Sequence, residues 1–203
     1  MRLRYSPTSP YARKVLAAAI EMGVEKMIEV EAVNPWDPDS DVATANPLGK
    51  VPALLLDDGM VLYDSPVICE YLDSLHQGPK MLPAEAPRRW QVLRLQALGD
   101  GMMDAALLIF LEHKRREAAV RSEWWLQLQG ATLRRSVADL DHQSLAFPGQ
   151  PDIGQIAVAC ALGYMDFRIA DLDWRNLAPR LAEWYQVFSR RPAMQATEPV
   201  DPL

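Results

Sequence analysis

The sequence predicts a small mixed α/β domain, residues 1–80, followed by an all-α helical bundle, residues 87–203. Three observations predict it. The first 80 residues alternate strand and helix patterns in the order strand, helix, strand, loop, strand, strand, helix. A break rich in Pro and Gly follows, with Gly78-Pro79 and the stretch from Pro83 to Pro87. After that break the apolar residues recur at helical spacing only.

Each element has its own signal. Leu3 to Tyr5 is a short apolar strand, which the two prolines of Ser6-Pro7-Thr8-Ser9-Pro10 prevent from continuing. From Tyr11 to Met22, the residues Val15, Leu16, Ala19 and Ile20 form one helix face, and Gly23 ends the pattern. Met27 to Val33 alternates apolar and acidic residues, as a half-buried strand does. Asn34 to Asn46 is a polar loop with a weak helical turn. Ala53 to Leu56 and Val61 to Tyr63 flank Asp57-Asp58-Gly59, a hairpin signal. Ser65 as N-cap and Pro66 at the first position open a helix whose apolar face is Val67, Ile68, Tyr71, Leu72 and Leu75. In the second part, Arg88 to Val120, Ser122 to Leu145, Asp152 to Ile169 and Leu177 to Ser189 read as helices, and Pro192 starts a short tail helix. The third of these is apolar throughout, which predicts burial.

Composition narrows the function. The chain has 203 residues, 49% apolar and 24% charged, the balance of an ordinary globular protein with a sizeable core. Its net charge is -6, of which residues 1–80 carry -5. An acidic surface argues against a nucleic-acid partner. Cys69 and Cys160 are isolated in apolar surroundings, so neither a metal site nor a dithiol motif is expected. No window resembles a membrane span or a signal peptide, which makes cytoplasmic the expected location.

Three segments carry candidate chemistry. Ser9-Pro10-Tyr11 sits at the first strand-to-helix turn, where unpaired N–H groups and the helix dipole favour an anion. A plain N-cap is the ordinary use of such a serine. In Asn46-Pro47-Leu48-Gly49-Lys50-Val51-Pro52, a proline directly precedes a buried strand. A cis Val51–Pro52 bond would leave Val51 free to pair with an extended peptide; a trans proline at a strand start is the alternative. Asp64-Ser65 precedes the next helix, so hydroxyl and N–H groups there suit a carboxylate while Asp64 suits an ammonium. An amino-acid end group carries both charges.

Together the Asn46–Pro52 and Asp64–Leu72 segments resemble the glutathione S-transferase family, over essentially the whole chain. The resemblance implies a thioredoxin-like N-terminal domain and a helical C-terminal one. It implies a cis bond before Pro52 and a γ-glutamyl site at Asp64 and Ser65, where the family more often has Glu-Ser. It implies glutathione as co-substrate and no metal, with a homodimer as the assembly. The Ser9-Pro10-Tyr11 turn is similar to the family's Ser-Pro-Phe and Cys-Pro-Phe turns, which puts Ser9 at the catalytic position. Ser9 would donate to the thiol sulfur and lower its pKa, with Thr8 as a neighbouring hydroxyl able to share the role. Lys50 is the best-placed cation for the peptide's negative ends, ahead of Arg13 and Lys14. The expected activity is transfer of glutathione to a small, apolar electrophile. A glutathione-dependent isomerase or reductase and a non-catalytic binding protein of the same fold are the alternatives.

The remaining features read as structure. Asp152 with Gln155 is a capping-box variant. His76, His113 and His142 lie among charges and are expected in solvent, as is Lys114-Arg115-Arg116-Glu117. Met102 and Met103 read first as core packing, with a wall for apolar substrates as the lesser use of their flexible thioethers.

Overall fold

The computed structural model describes residues 1–143 and 150–201. It begins with strand β1 (Arg2–Tyr5), helix α1 (Pro10–Met22), strand β2 (Glu29–Ala32) and the one-turn helix α2 (Val42–Ala45). Strands β3 (Ala53–Leu55) and β4 (Val61–Leu62) and helix α3 (Ser65–Ser74) complete the first part. The sheet order is β2-β1-β3-β4, with β1 parallel to β2 and the other two pairings antiparallel. Leu3 pairs with Val30 on one side and Leu54 on the other; Leu3 and Leu54 are fully buried.

The helical part comprises α4 (Arg88–Arg115), α5 (Glu123–Gln143), α6 (Ile153–Arg168), α7 (Trp174–Leu177), α8 (Pro179–Phe188) and α9 (Pro192–Ala196). Helix α6 runs through the centre, buried from Ile153 to Met165, and packs most extensively on α4. The two approach closely because Gly99 faces the α6 backbone: a Cβ there would lie 2.7 Å from the Ala157 carbonyl carbon. Helix α1 packs against both α3 and α6, so it joins the sheet to the bundle. No single described helix is long and apolar enough to cross a membrane.

Local chemistry sets the boundaries. Ser9 caps α1 and Gly23 ends it with φ of 71°. The capping box of α6 forms in both directions: the Gln155 N–H donates to Asp152 Oδ1 at 2.9 Å, and the Asp152 N–H to Gln155 Oε1 at 3.1 Å. Arg88 holds the other Asp152 oxygen at 2.5 Å.

Several expectations are corrected. β2 is not half-buried; it is the edge strand, paired only with β1 among the described residues, and Val30 is 50% exposed. The helix starting at Arg88 stops at Arg115 instead of Val120, where Arg116 turns extended and a separate 3₁₀ turn spans Ala118–Val120. The pattern from Leu177 splits into two helices, α7 and α8, because Ala178 leaves helical geometry before Pro179. The expected end at Leu145 lies outside the described residues. Helix α3 opens one residue earlier than expected: Asp64 occupies the cap position, its carbonyl accepts the Ile68 N–H at 3.1 Å, and Ser65 is the first helical residue.

His76 is not in solvent. Its Nε2 lies 3.0 Å from Asp73 Oδ1, and its Nδ1 accepts the Gly78 N–H at 3.1 Å, which fits a neutral ring donating to Asp73. Asp73 also accepts the N–H groups of Met81 and Leu82, so this polar knot ties the end of α3 to the segment that follows. His113, His142 and the Lys114–Glu117 run are at the surface. Both cysteines are in the core, as expected, and burial pushes their thiols up, Cys69 to about 12 and Cys160 to about 11.

Candidate active site

A cleft of about 490 Å³ opens between the sheet part and helices α4 and α6. Its size is that of a small-ligand site. The predicted residues Ser9, Lys50, Val51, Pro52, Asp64 and Ser65 all line it, although they come from three separate loops.

Ser9 approaches from the N-terminus of α1. Its Oγ accepts the Ala12 N–H at 3.2 Å, so it is a true N-cap. A serine hydroxyl has one proton and two lone pairs. Capping uses a lone pair and leaves the proton to donate into the cleft, so cap and anion donor are compatible roles. The neighbouring Thr8 also lines the cleft, with its Oγ1 3.1 Å from Ser6 Oγ.

The loop carrying Lys50 and Val51 is organised by Asn46, which is buried. The Asn46 amide donates to the Lys50 carbonyl at 2.8 Å, and its Oδ1 accepts the Leu48 N–H at 3.0 Å. The Val51–Pro52 peptide is cis. Ser65 is buried at the first turn of α3, where backbone N–H groups lack intrahelical partners. Two helix N-termini, those of α1 and α3, therefore border one cleft, and both favour negative charge.

Arg13 and Lys14 do not serve this site. Lys14 is fully buried, with its Nζ 2.6 Å and 2.9 Å from the two Asp100 oxygens of α4. Arg13 donates to the Met194 carbonyl at 3.0 Å. Sequence fixes no helix face for either, and both turn inward to the bundle. Met102 and Met103 are fully buried core residues, and neither lines the cleft.

The opposite wall escaped the sequence reading. It consists of Asp104, Leu107, Leu108 and Phe110 on α4, Tyr164 and Arg168 on α6, and Trp36 from the loop after β2. The signal was present in the i, i+3, i+4 spacing of Asp104, Leu107 and Leu108 and the i, i+4 spacing of Tyr164 and Arg168. Without the fold, nothing says which helix face meets the sheet. The Tyr11 hydroxyl donates to the Asp104 carboxylate, and burial with this bond raises the phenol well above its usual range. Burial likewise pushes Tyr164 up, to about 12, against the pull of Arg168. Both phenols therefore stay neutral at physiological pH.

Family models for the glutathione S-transferase N-terminal domain and C-terminal domain match residues 8–75 and 118–186. The uncharacterized GST-like protein YibF of Escherichia coli is 35% identical over 98% of both chains. The chain belongs to the glutathione S-transferase family. Two structures of a glutathione transferase family member from Pseudomonas fluorescens Pf-5 share its fold. One, with bound glutathione, has a TM-score of 0.93 at 44% identity and covers 98% of this chain and 99% of that one. The other, with bound S-(propanoic acid)-glutathione, has a TM-score of 0.89 at 43% identity, covering 99% and 100%. The family's thioredoxin-like sheet and helical region are the two parts described above. More distant family relatives include a maleylacetoacetate isomerase of Pseudomonas aeruginosa, 25% identical over 77% of this chain.

Proposed function

We propose that this protein binds glutathione in the cleft, stabilises its thiolate and transfers it to a small electrophile. The observation that carries the reading is the convergence of Ser9, Val51-Pro52 and Asp64-Ser65 on one cleft bordered by two helix N-termini. Glutathione bound in the Pseudomonas fluorescens relative supports it. In this reading Ser65 and the N–H groups of α3 hold the γ-glutamyl carboxylate, and Asp64 faces its ammonium. Val51 pairs with the peptide backbone, and Lys50 faces the glycine carboxylate. Ser9 donates to sulfur.

The energetics favour Ser9 as an activator rather than an anchor. A free thiol has a pKa near 8.5, so lowering it by about two units requires roughly 2.7 kcal/mol of preference for the anion. A hydrogen bond to a charged group contributes about 1.5–3 kcal/mol, and the α1 N-terminus adds to it. The bond is stronger to thiolate than to thiol, so it accelerates transfer more than it tightens binding. The second part of the chain, residues 87–203, supplies the wall for the electrophile, and the protein acts as a homodimer in the cytoplasm.

Calorimetry with glutathione tests the binding, and ultraviolet thiolate absorbance of the bound peptide against pH tests the activation. Ser65→Ala is expected to weaken binding by about 1.5–3 kcal/mol. Ser9→Ala is expected to raise the bound thiol's pKa by roughly one to two units with little loss of affinity. Absence of glutathione binding to the unmodified protein overturns the reading. A shift on Thr8→Ala but not Ser9→Ala moves the activating role to Thr8. Sedimentation tests the dimer: a mass near 22.8 kDa at micromolar concentration contradicts it.

A further inference from the structure

Among the described residues lining the cleft, Lys50 on the sheet side and Arg168 on α6 are the two cations. Glutathione offers two carboxylates and one ammonium. In the function proposed above, α3 with Ser65 and Lys50 take the carboxylates, and Asp64 takes the ammonium. Arg168 then has no glutathione group to meet, yet it stands on the wall assigned to the electrophile.

Arg168 is held in a fixed pose. Its guanidinium carbon lies 4.6 Å from the Phe110 ring centroid and 3.8 Å from that of Phe167. The Tyr164 hydroxyl is beside it. Stacking on ring faces orients the planar fork and limits the freedom it would lose on binding. The fork already grips a carboxylate: Nη1 donates to Asp201 Oδ2 at 3.1 Å and Nη2 to Oδ1 at 2.6 Å. The two ends of this pair differ. The Arg168 side chain is 13% exposed, whereas that of Asp201, beyond α9, is 63% exposed. Asp201 can leave for water while the guanidinium stays.

We infer that Arg168 is the carboxylate-recognising residue for the second substrate, which is a small electrophile bearing a carboxylate, and that Asp201 holds the guanidinium fork that this carboxylate would take. The inference rests on the glutathione reading and names the substrate class for the same site. Phe110, Leu107 and Leu108 supply apolar contact for the rest of the molecule. An unsaturated keto acid fits this description. Its reaction balances without any oxidant. The glutathione sulfur forms a bond to the carbon β to the ketone, the alkene π pair moves to the ketone as an enolate, and a solvent proton restores the carbonyl. The carboxylate on Arg168 takes no part in bond making.

The test compares S-(2-carboxyethyl)glutathione with S-propylglutathione by calorimetry, alongside glutathione itself. Unmodified protein is expected to bind the carboxyethyl conjugate about 10-fold or more tightly than the propyl one, the scale of a hydrogen bond to a charged group. Arg168→Gln is expected to bring that ratio near one and leave S-propylglutathione and glutathione within about threefold. Asp201→Asn is expected to tighten the carboxyethyl conjugate several-fold and leave the propyl one unchanged, which a purely structural ion pair would not do. A second arm follows glutathione addition to 4-oxo-4-phenylbut-2-enoate and to its methyl ester, each corrected for the uncatalysed rate. Preference for the acid, lost in Arg168→Gln, supports the inference. Equal binding of the two conjugates, or equal loss of both in Arg168→Gln, overturns it. Turnover of the ester without preference for the acid also overturns it, while leaving the transferase reading intact. No binding of glutathione or either conjugate overturns both.

Discussion

Replacing Lys14 by Met removes the cation that pairs with Asp100 inside the junction of α1 and α4, and the cost follows from the pair's position. The Nζ–Oδ1 distance is 2.6 Å, Lys14 is fully buried and the Asp100 side chain is 20% exposed. At an effective dielectric of about 20 the attraction is about 6 kcal/mol. Desolvating both ions costs several kcal/mol each, so the intact pair is worth little more than an apolar pair of the same volume. Removing one partner is different. Met fills the Lys14 volume, but Asp100 then stays buried without its counter-charge, at a cost of about 3–5 kcal/mol. Against a total of about 5–15 kcal/mol this is a large loss.

Urea unfolding followed by tryptophan fluorescence reads it, because Trp174 and Trp184 are buried. With a slope near 3 kcal/mol/M, the midpoint is expected to fall by about 1–1.7 M. Lys14→Met with Asp100→Leu should recover to within about 1 kcal/mol of the unmodified protein. The pH dependence has a definite sign. Burial raises the Asp100 carboxyl above 3.8 even with Lys14 present, and losing Lys14 raises it further. The folded state then binds the proton more tightly than the unfolded state. The Lys14→Met defect is therefore smallest below about pH 4 and grows as pH rises through the elevated folded value. A single-variant loss under about 1 kcal/mol, or a double variant as unstable as the sum of the singles, would refute the reasoning.

Gly99→Ala should cost about 1–3 kcal/mol or more, read as a lower thermal midpoint, because its Cβ meets α6 backbone at 2.7 Å and backbone cannot swing away. Asp152→Ala should cost about 2 kcal/mol by urea unfolding, the upper end for an N-cap, since this one is buried and also holds Arg88; Asp152→Asn should retain most of the cap. The two thiols should resist a disulfide reagent at pH 8 in the native protein and react fully in denaturant, because burial holds them up near 12 and 11.

How much was legible in the chain depended on the reach of each interaction. Ser9 with Ala12 and Asp152 with Gln155 are neighbours within four residues, so their chemistry follows from spacing alone. The bond from Asn46 to the Lys50 carbonyl is as local, but no pattern in the sequence announced it. Gly23 ending α1 and the hairpin at Asp57-Asp58-Gly59 also follow from spacing. These local signals laid out the two-part architecture. Each segment of the first cleft wall also had an ordinary structural use, and it was the resemblance to a known family that joined them into one site.

The other wall was decided by tertiary structure. Tyr11 meets Asp104 from 93 residues away, Lys14 meets Asp100 from 86, and Arg168 meets Asp201 from 33. Asp100 and Asp104 sit on α4 and Arg168 on α6, long helices that bury parts of more than one face, so periodicity marks them as helical without saying what they touch. Asp201 lies past the last helix, where spacing says nothing of its partner. Which cations turned inward, as Arg13 and Lys14 did, and which stood at the cleft, as Lys50 and Arg168 do, depended on how α1, α4 and α6 pack. A charge goes where desolvation and a counter-charge can balance, and that balance exists only once distant segments are in contact.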